Sequence, residues 1–172
     1  MTNEILPTLP NAETLLIELS NKLSPLLSIN TALVGIQSGG VWIMERLLPL
    51  LSTKIQTLNI AHGMLDVSMH RDDYAKRGLN SKMKPSQITF DVQDKHIILI
   101  DDVFYTGRTT RAAMNELFDY GRPASITLAA LVNRGGRELP ITPQVTAYEM
   151  QLDAEHHLQL SKNTDGTLFL SL

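Results

Sequence analysis

The stretch that most constrains this chain is the apolar run His96-Ile97-Ile98-Leu99-Ile100. It leads into Asp101-Asp102-Val103-Phe104-Tyr105 and then Thr106-Gly107-Arg108-Thr109-Thr110. An unbroken run of Ile and Leu reads as a strand buried on both faces, which is the habit of parallel sheets. The small polar residues behind it read as a turn. Arg111 to about Tyr120, closed by Gly121, has the spacing of a helix. A strand feeding a polar turn and then a helix is a β-loop-α unit, and ligands of such sheets sit at the turn.

The turn has the chemistry of an anion cradle. Free N–H groups and the helix dipole favour a phosphate, Gly107 permits close approach, and the Thr hydroxyls add donors. Asp101 and Asp102, just before the turn, would repel that phosphate unless something lies between. A ribose offering two hydroxyls, or a divalent cation, is a fitting spacer. Phosphate, sugar and Mg²⁺ are thus implied together. Taken singly, the acidic pair could cap a strand end and Thr106-Gly107 could be an ordinary turn. The ordered combination is what an ordinary turn does not explain. No Walker A loop and no Rossmann fingerprint occur.

The rest of the chain is consistent with one α/β domain spanning residues 1–172. Asn11 is placed to cap a helix carrying Leu15, Leu16, Leu19 and Leu23. Thr31–Ile36 reads as a buried strand, residues 37–40 as a turn, and Val41–Leu51 as a helix on which Trp42 and Met44 are core or subunit-interface residues. Lys54–Ile60 and Met64–Met69 read as two strands joined through His62-Gly63. About residues 70–87 the chain turns polar and charged without a period that would bury a face. That is a long mobile loop, either a closing lid or a tolerated surface insertion. Its Lys/Arg cluster reads as a solubilising feature or an RNA contact. Ala124–Val132 is a further strand. From about residue 138 the pattern becomes short polar-apolar alternation, including Val145–Leu152 and His157–Leu160, with Asp165-Gly166 marking a terminal hairpin. Strands alternating with helices give a mostly parallel central sheet flanked by helices, with a small C-terminal β addition.

Composition supplies exclusions. There is no Cys, so disulfides, Cys-ligated zinc, iron–sulfur clusters and thiol nucleophiles are ruled out. A net charge of −3 does not suggest a protein held on nucleic acid by bulk electrostatics. The start of the chain lacks the pattern of a secretory signal, and no apolar run approaches the roughly 20 residues of a membrane span, so a soluble, cytoplasmic protein is expected. The adjacent His156-His157 would face opposite sides of a strand and make a poor metal site.

The segment 97–110 resembles the motif that binds 5-phosphoribosyl-1-pyrophosphate (PRPP) in type I phosphoribosyltransferases, and Ile98–Pro123 is similar to the PyrR family in particular. Val34-Gly35-Ile36 with Gly40, Leu65–Asp73, Asp119–Pro123 and Arg134-Gly135-Gly136-Arg137-Glu138-Leu139-Pro140-Ile141 extend the resemblance over most of residues 31–141. It implies the type I phosphoribosyltransferase fold with a C-terminal hood at about 138–172. The activity it implies is Mg²⁺-dependent transfer of phosphoribosyl from PRPP to uracil, giving UMP and pyrophosphate, together with regulation of pyrimidine operons through pyr leader RNA. A related but distinct reading is a UMP- or PRPP-sensing RNA-binding regulator with weak or no catalysis. A homodimer or homotetramer is also implied.

By position, Asp101 and Asp102 would hold the ribose hydroxyls directly or through Mg²⁺, and Thr106, Gly107, Arg108, Thr109 and Thr110 the 5′-phosphate. Gln37, Ser38, Gly39 and Gly40 would form the pyrophosphate loop. Arg71, which opens the mobile loop with Asp72 and Asp73, would meet the departing pyrophosphate and joins the acidic pair as a catalytic residue. Arg134 and Arg137 would contact nucleotide or RNA, or else be solvated charges at a strand end. Two departures stand out. The pyrophosphate loop of the family carries a Thr-Arg-Gly type sequence, whereas Gln37–Gly40 holds no cation. Residues 142–148 also differ from the usual continuation, in the neighbourhood where such enzymes recognise the base, which leaves a purine as a third reading.

Overall fold

The computed structural model describes residues 7–56, 58–68 and 85–172. Helix α1 (Ala12–Leu23) starts where its cap predicts, with Asn11 Oδ1 accepting from Thr14 N–H at 3.0 Å. Strand β1 (Thr31–Ile36) is buried at every residue, which is why an apolar run with no alternation marked it so clearly. There follow helix α2 (Gly39–Lys54), strand β2 (Ala61–Leu65), strand β3 (His96–Phe104), helix α3 (Arg108–Phe118), and strands β4 (Ser125–Asn133), β5 (Val145–Glu149), β6 (Gln159–Lys162) and β7 (Leu168–Ser171).

Five strands form one parallel sheet in the order β2-β1-β3-β4-β5, and β6-β7 is a separate antiparallel hairpin. The order reverses direction between β1 and β3. The chain leaves β1 toward one edge and returns on the other side, so the turns after these two strands open onto the same crevice.

Alternating strand residues feed two cores. Leu33, Ile98, Ile100, Ala129 and Leu131 meet α1, α2 and the hairpin, whereas Val34, Ile97, Leu99, Leu128 and Ala130 meet Ala112, Ala113 and Leu117 of α3. The hairpin is tied to the first layer by a polar cluster. Glu13 accepts from the Leu168 N–H at 2.9 Å and pairs with Arg46, which donates to the Gly166 carbonyl at 3.2 Å. No helix of the described residues is long and apolar enough to cross a membrane.

Several elements depart from the sequence reading. Lys54–Ile60 is not a strand. Helix α2 continues to Lys54 because Leu47 and Leu51 keep its apolar face in the core, and Lys54 Nζ reaches Ser20 Oγ at 3.0 Å. Residue 57 lies outside the described residues. His62 and Gly63 do not join two strands; they lie within β2, whose register against β1 runs from Ala32↔Ala61 to Ile36↔Leu65. Met69 and most of the expected loop, residues 69–84, lie outside the described residues. Val145–Glu149 is no part of a separate β addition, since it joins the central sheet beside β4. His156 and His157 lie before β6, in irregular backbone rather than on a strand. Met44 is core, and Trp42 is partly buried under Lys162, whose Nζ lies 5.1 Å from the ring centroid.

Candidate active site

Strand β3 does not stop at the acidic pair. It stays paired through Asp101↔Ala130 and Phe104↔Asn133, because β4 is equally long. Asp101 is buried, and Asp102 is half-buried beside it, with its N–H donating to Asp101 Oδ1 at 3.0 Å. Helix α3 begins three residues earlier than its spacing suggested, so Arg108, Thr109 and Thr110 form its first turn. Gly107 is the N-cap, at φ +91°. That φ lies in the left-handed region, where a side chain is strained.

First-turn amides of a helix have no partner within the helix and point along its positive end. Thr110 Oγ1 faces the same region, buried and without a hydrogen-bond partner. Such a hydroxyl costs about 1–3 kcal/mol unless something accepts it. A phosphate would.

Residues 37–40 pack directly against this unit, but Gly39 and Gly40 are not turn residues as expected: α2 starts two residues earlier than Val41, so they are its first two residues. A Cβ on Gly39 would fall 2.1 Å from Asp102 Oδ2, and one on Gly40 would fall 2.2 Å from the Ile100 carbonyl oxygen. Gln37 N–H donates to the Leu65 carbonyl at 2.9 Å, and Ser38 is exposed. Gly39 and Gly40 therefore lie against the end of β3, at Ile100 and Asp102, rather than against the turn 106–110, and their lack of side chains is what allows it.

A cavity of about 370 Å³ opens here. Asp101, Asp102, Thr106, Gly107, Thr109 and Thr110 line it, as do Tyr105 and Arg134. Part of the wall comes from His157, Leu158, Gln159 and Leu160, which lie some fifty residues further along the chain. Sequence reading missed this wall. Its one signal was the polar-apolar alternation after residue 156. Arg108, expected to share the 5′-phosphate, is not among the lining residues; it is exposed, with Nε donating to Glu138 Oε2 at 2.8 Å.

The Arg-Gly-Gly-Arg-Glu-Leu-Pro-Ile stretch braces the turn 106–110 from outside, where the N–H groups of Glu138 and Leu139 both donate to the Thr106 carbonyl, at 3.0 and 3.2 Å. Its two arginines differ. Arg137 is exposed, whereas Arg134 is 2% exposed and therefore no solvated charge. Arg71, expected at the start of the lid, lies outside the described residues.

The acidic pair also fits Mg²⁺ in the way that ion is usually held, by one or two carboxylates with the remaining ligands drawn from water and substrate oxygens. Among the described residues, no group of three or more His, Cys, Asp or Glu could cage a metal without substrate.

The phosphoribosyl transferase domain model matches residues 3–158. "Bifunctional protein PyrR" of Nitrosococcus oceani is 50% identical over 130 residues, covering 76% of this chain and 72% of the relative. The chain belongs to the PyrR family of phosphoribosyltransferases. The protein of the same name from Pseudomonas syringae pv. tomato is 40% identical over 158 residues, 90% of each chain.

Among solved structures, HGPRT-ase from Leishmania tarentolae in complex with GMP superposes with a TM-score of 0.64 at 14% identity, over 85% of this chain and 82% of that one. A hypoxanthine phosphoribosyltransferase from Staphylococcus aureus does so with 0.61 at 16% identity, over 91% and 81%. These structures share the type I fold with the PyrR chain. Its central sheet is mostly parallel and flanked by helices, and the C-terminal hairpin is the small β addition expected of that fold.

Proposed function

We propose that this PyrR-family chain transfers phosphoribosyl from PRPP to a ring nitrogen of uracil, releasing pyrophosphate and forming UMP. The observation that carries the reading is the unpartnered Thr110 hydroxyl, buried in a helix first turn that follows two adjacent carboxylates. A 5′-phosphate on Thr106–Thr110 satisfies the hydroxyl and the turn amides, and a ribose on Asp101 and Asp102 separates that phosphate from the carboxylates.

Breaking the C1–pyrophosphate bond leaves positive charge on the ribose, which two neighbouring carboxylates stabilise by position alone. Asp101 and Asp102 would hold Mg²⁺ together with the sugar hydroxyls, and the ion supplies charge neutralisation for the leaving pyrophosphate. Residues 38–40 offer main-chain donors at the start of α2, Gln37 N–H being spent on the Leu65 carbonyl, but no cation to that group, and Arg71 is the family's candidate to supply one. The hood residues 157–160 give the base its wall. With both reactants held in one crevice, orientation contributes much of the rate.

A regulatory role on pyr leader RNA goes with this activity, and the exposed Arg137 is available for such a contact. The cation-free residues 37–40 favour, as a second reading, a chain that senses UMP or PRPP with weak catalysis. A cytoplasmic homodimer or homotetramer fits either reading.

The test is pyrophosphate release from PRPP and Mg²⁺ with uracil, hypoxanthine, guanine or orotate as acceptor. Uracil-dependent release is expected. Release that depends on a purine instead would overturn the uracil assignment, and tight UMP binding without release under any base would leave the sensor.

A further inference from the structure

Three segments meet on Arg134. Its N–H donates to the Phe104 carbonyl at 3.1 Å, at the end of β3, and its carbonyl accepts from Leu152 N–H at 3.1 Å. The buried side chain continues the same connection. Nη1 donates to the His156 carbonyl at 2.5 Å, and Nη2 donates to those of Asp153 at 2.8 Å and Leu152 at 3.4 Å. The guanidinium carbon lies 4.0 Å from the centroid of the Tyr105 ring. Gly136 closes on that ring too, since a Cβ there would fall 2.3 Å from Cε2.

Among the described residues, every hydrogen-bond acceptor of this guanidinium is a main-chain carbonyl, and none is a carboxylate. A planar fork spent on three carbonyls of one irregular segment acts as a clamp, because that segment has no sheet or helix partner to fix it. The clamped segment, 152–156, runs directly into His157–Leu160, the wall that the hood gives the cavity. Tyr105, against which the clamp is stacked, immediately precedes the phosphate turn.

The geometry points to Arg134 as a positioning residue for the nucleobase: it sets the distance between the hood wall at 157–160 and the phosphate turn. The inference rests on the reading of this cavity as a mononucleotide site. The phosphate end of the ligand is held by a turn fixed by β3, α3 and the N–H groups of Glu138 and Leu139, to which the Arg134 guanidinium donates no hydrogen bond. The base end meets a wall that depends on it. A ligand with phosphate and ribose but no base should therefore be indifferent to Arg134.

The experiment compares wild type with Arg134→Lys, which keeps the charge but loses the fork, by calorimetric titration with UMP, GMP and ribose 5-phosphate. UMP affinity should fall about tenfold, as expected for a misplaced contact, while ribose 5-phosphate affinity stays unchanged. Tyr105→Leu, which removes only the stacking, should show the same pattern with a smaller loss, and it decides the matter if Arg134→Lys does not fold. An equal loss for UMP and ribose 5-phosphate, or no loss for either, overturns the proposal. A wild type that binds GMP more tightly than UMP overturns the uracil reading alone, and the clamp is then judged by the same comparison of GMP with ribose 5-phosphate.

Discussion

The turn after β1 and the turn after β3 occupy equivalent places at the carboxyl edge of one sheet, and each uses glycine, but for different physical reasons. Gly39 and Gly40 are small because there is no room: the Asp102 carboxylate and the Ile100 carbonyl occupy the space a side chain would need. Gly107 has room, since the nearest atom to a Cβ there is 3.5 Å away, and it is glycine because its φ is +91°. The first turn is shaped to let the acidic pair approach. The second is shaped to present donors. One architecture thus yields two kinds of turn, and the difference lies in whether space or backbone conformation is limiting.

The sharpest way to break this comparison is Gly40→Ala. A methyl 2.2 Å from a strand carbonyl meets an atom that cannot swing aside, so the chain should lose about 3 kcal/mol in a denaturant titration. Gly39→Ala is the informative neighbour, because its methyl meets the whole Asp102 side chain, from Oδ2 at 2.1 Å to Cβ at 2.7 Å. The melting temperature should fall, by less than in Gly40→Ala, while PRPP affinity drops about tenfold as Asp102 is displaced. If PRPP affinity instead holds in Gly39→Ala, the first turn has no special relation to the acidic pair. Thr110→Val tests the second turn with the smallest change. Removing a buried hydroxyl that lacks a partner should leave thermal stability unchanged or slightly raised, and should weaken phosphate binding by about fivefold, read by competition with ribose 5-phosphate.

These contrasts explain what was legible in the chain. Strands β1 and β3 announced themselves because burial on both faces leaves an unbroken apolar run, and the polar turn behind β3 declared its chemistry by composition. The boundary of α2 did not. Lys54 and Ile55 carry no signal of their own, and the helix runs on because its earlier apolar residues find a core.

Arg134 and Arg137 look alike in sequence, yet one is a buried clamp and the other exposed, since only tertiary packing brings the carbonyls of 152–156 to Arg134. The hood wall at 157–160 was illegible as part of the site for the same reason. Nothing local links His157 to Asp101, and the link is made through the end of β4.

We propose that the carboxylates at the end of β3 and the turn behind them form the PRPP site. This is tested most directly by calorimetric titration of PRPP with Mg²⁺ into wild type and Asp102→Asn, with circular dichroism as the control for folding. Saturable binding to wild type and its loss in a normally folded Asp102→Asn are expected. Equal affinity in the two proteins would contradict the proposal and move the PRPP site away from the acidic pair.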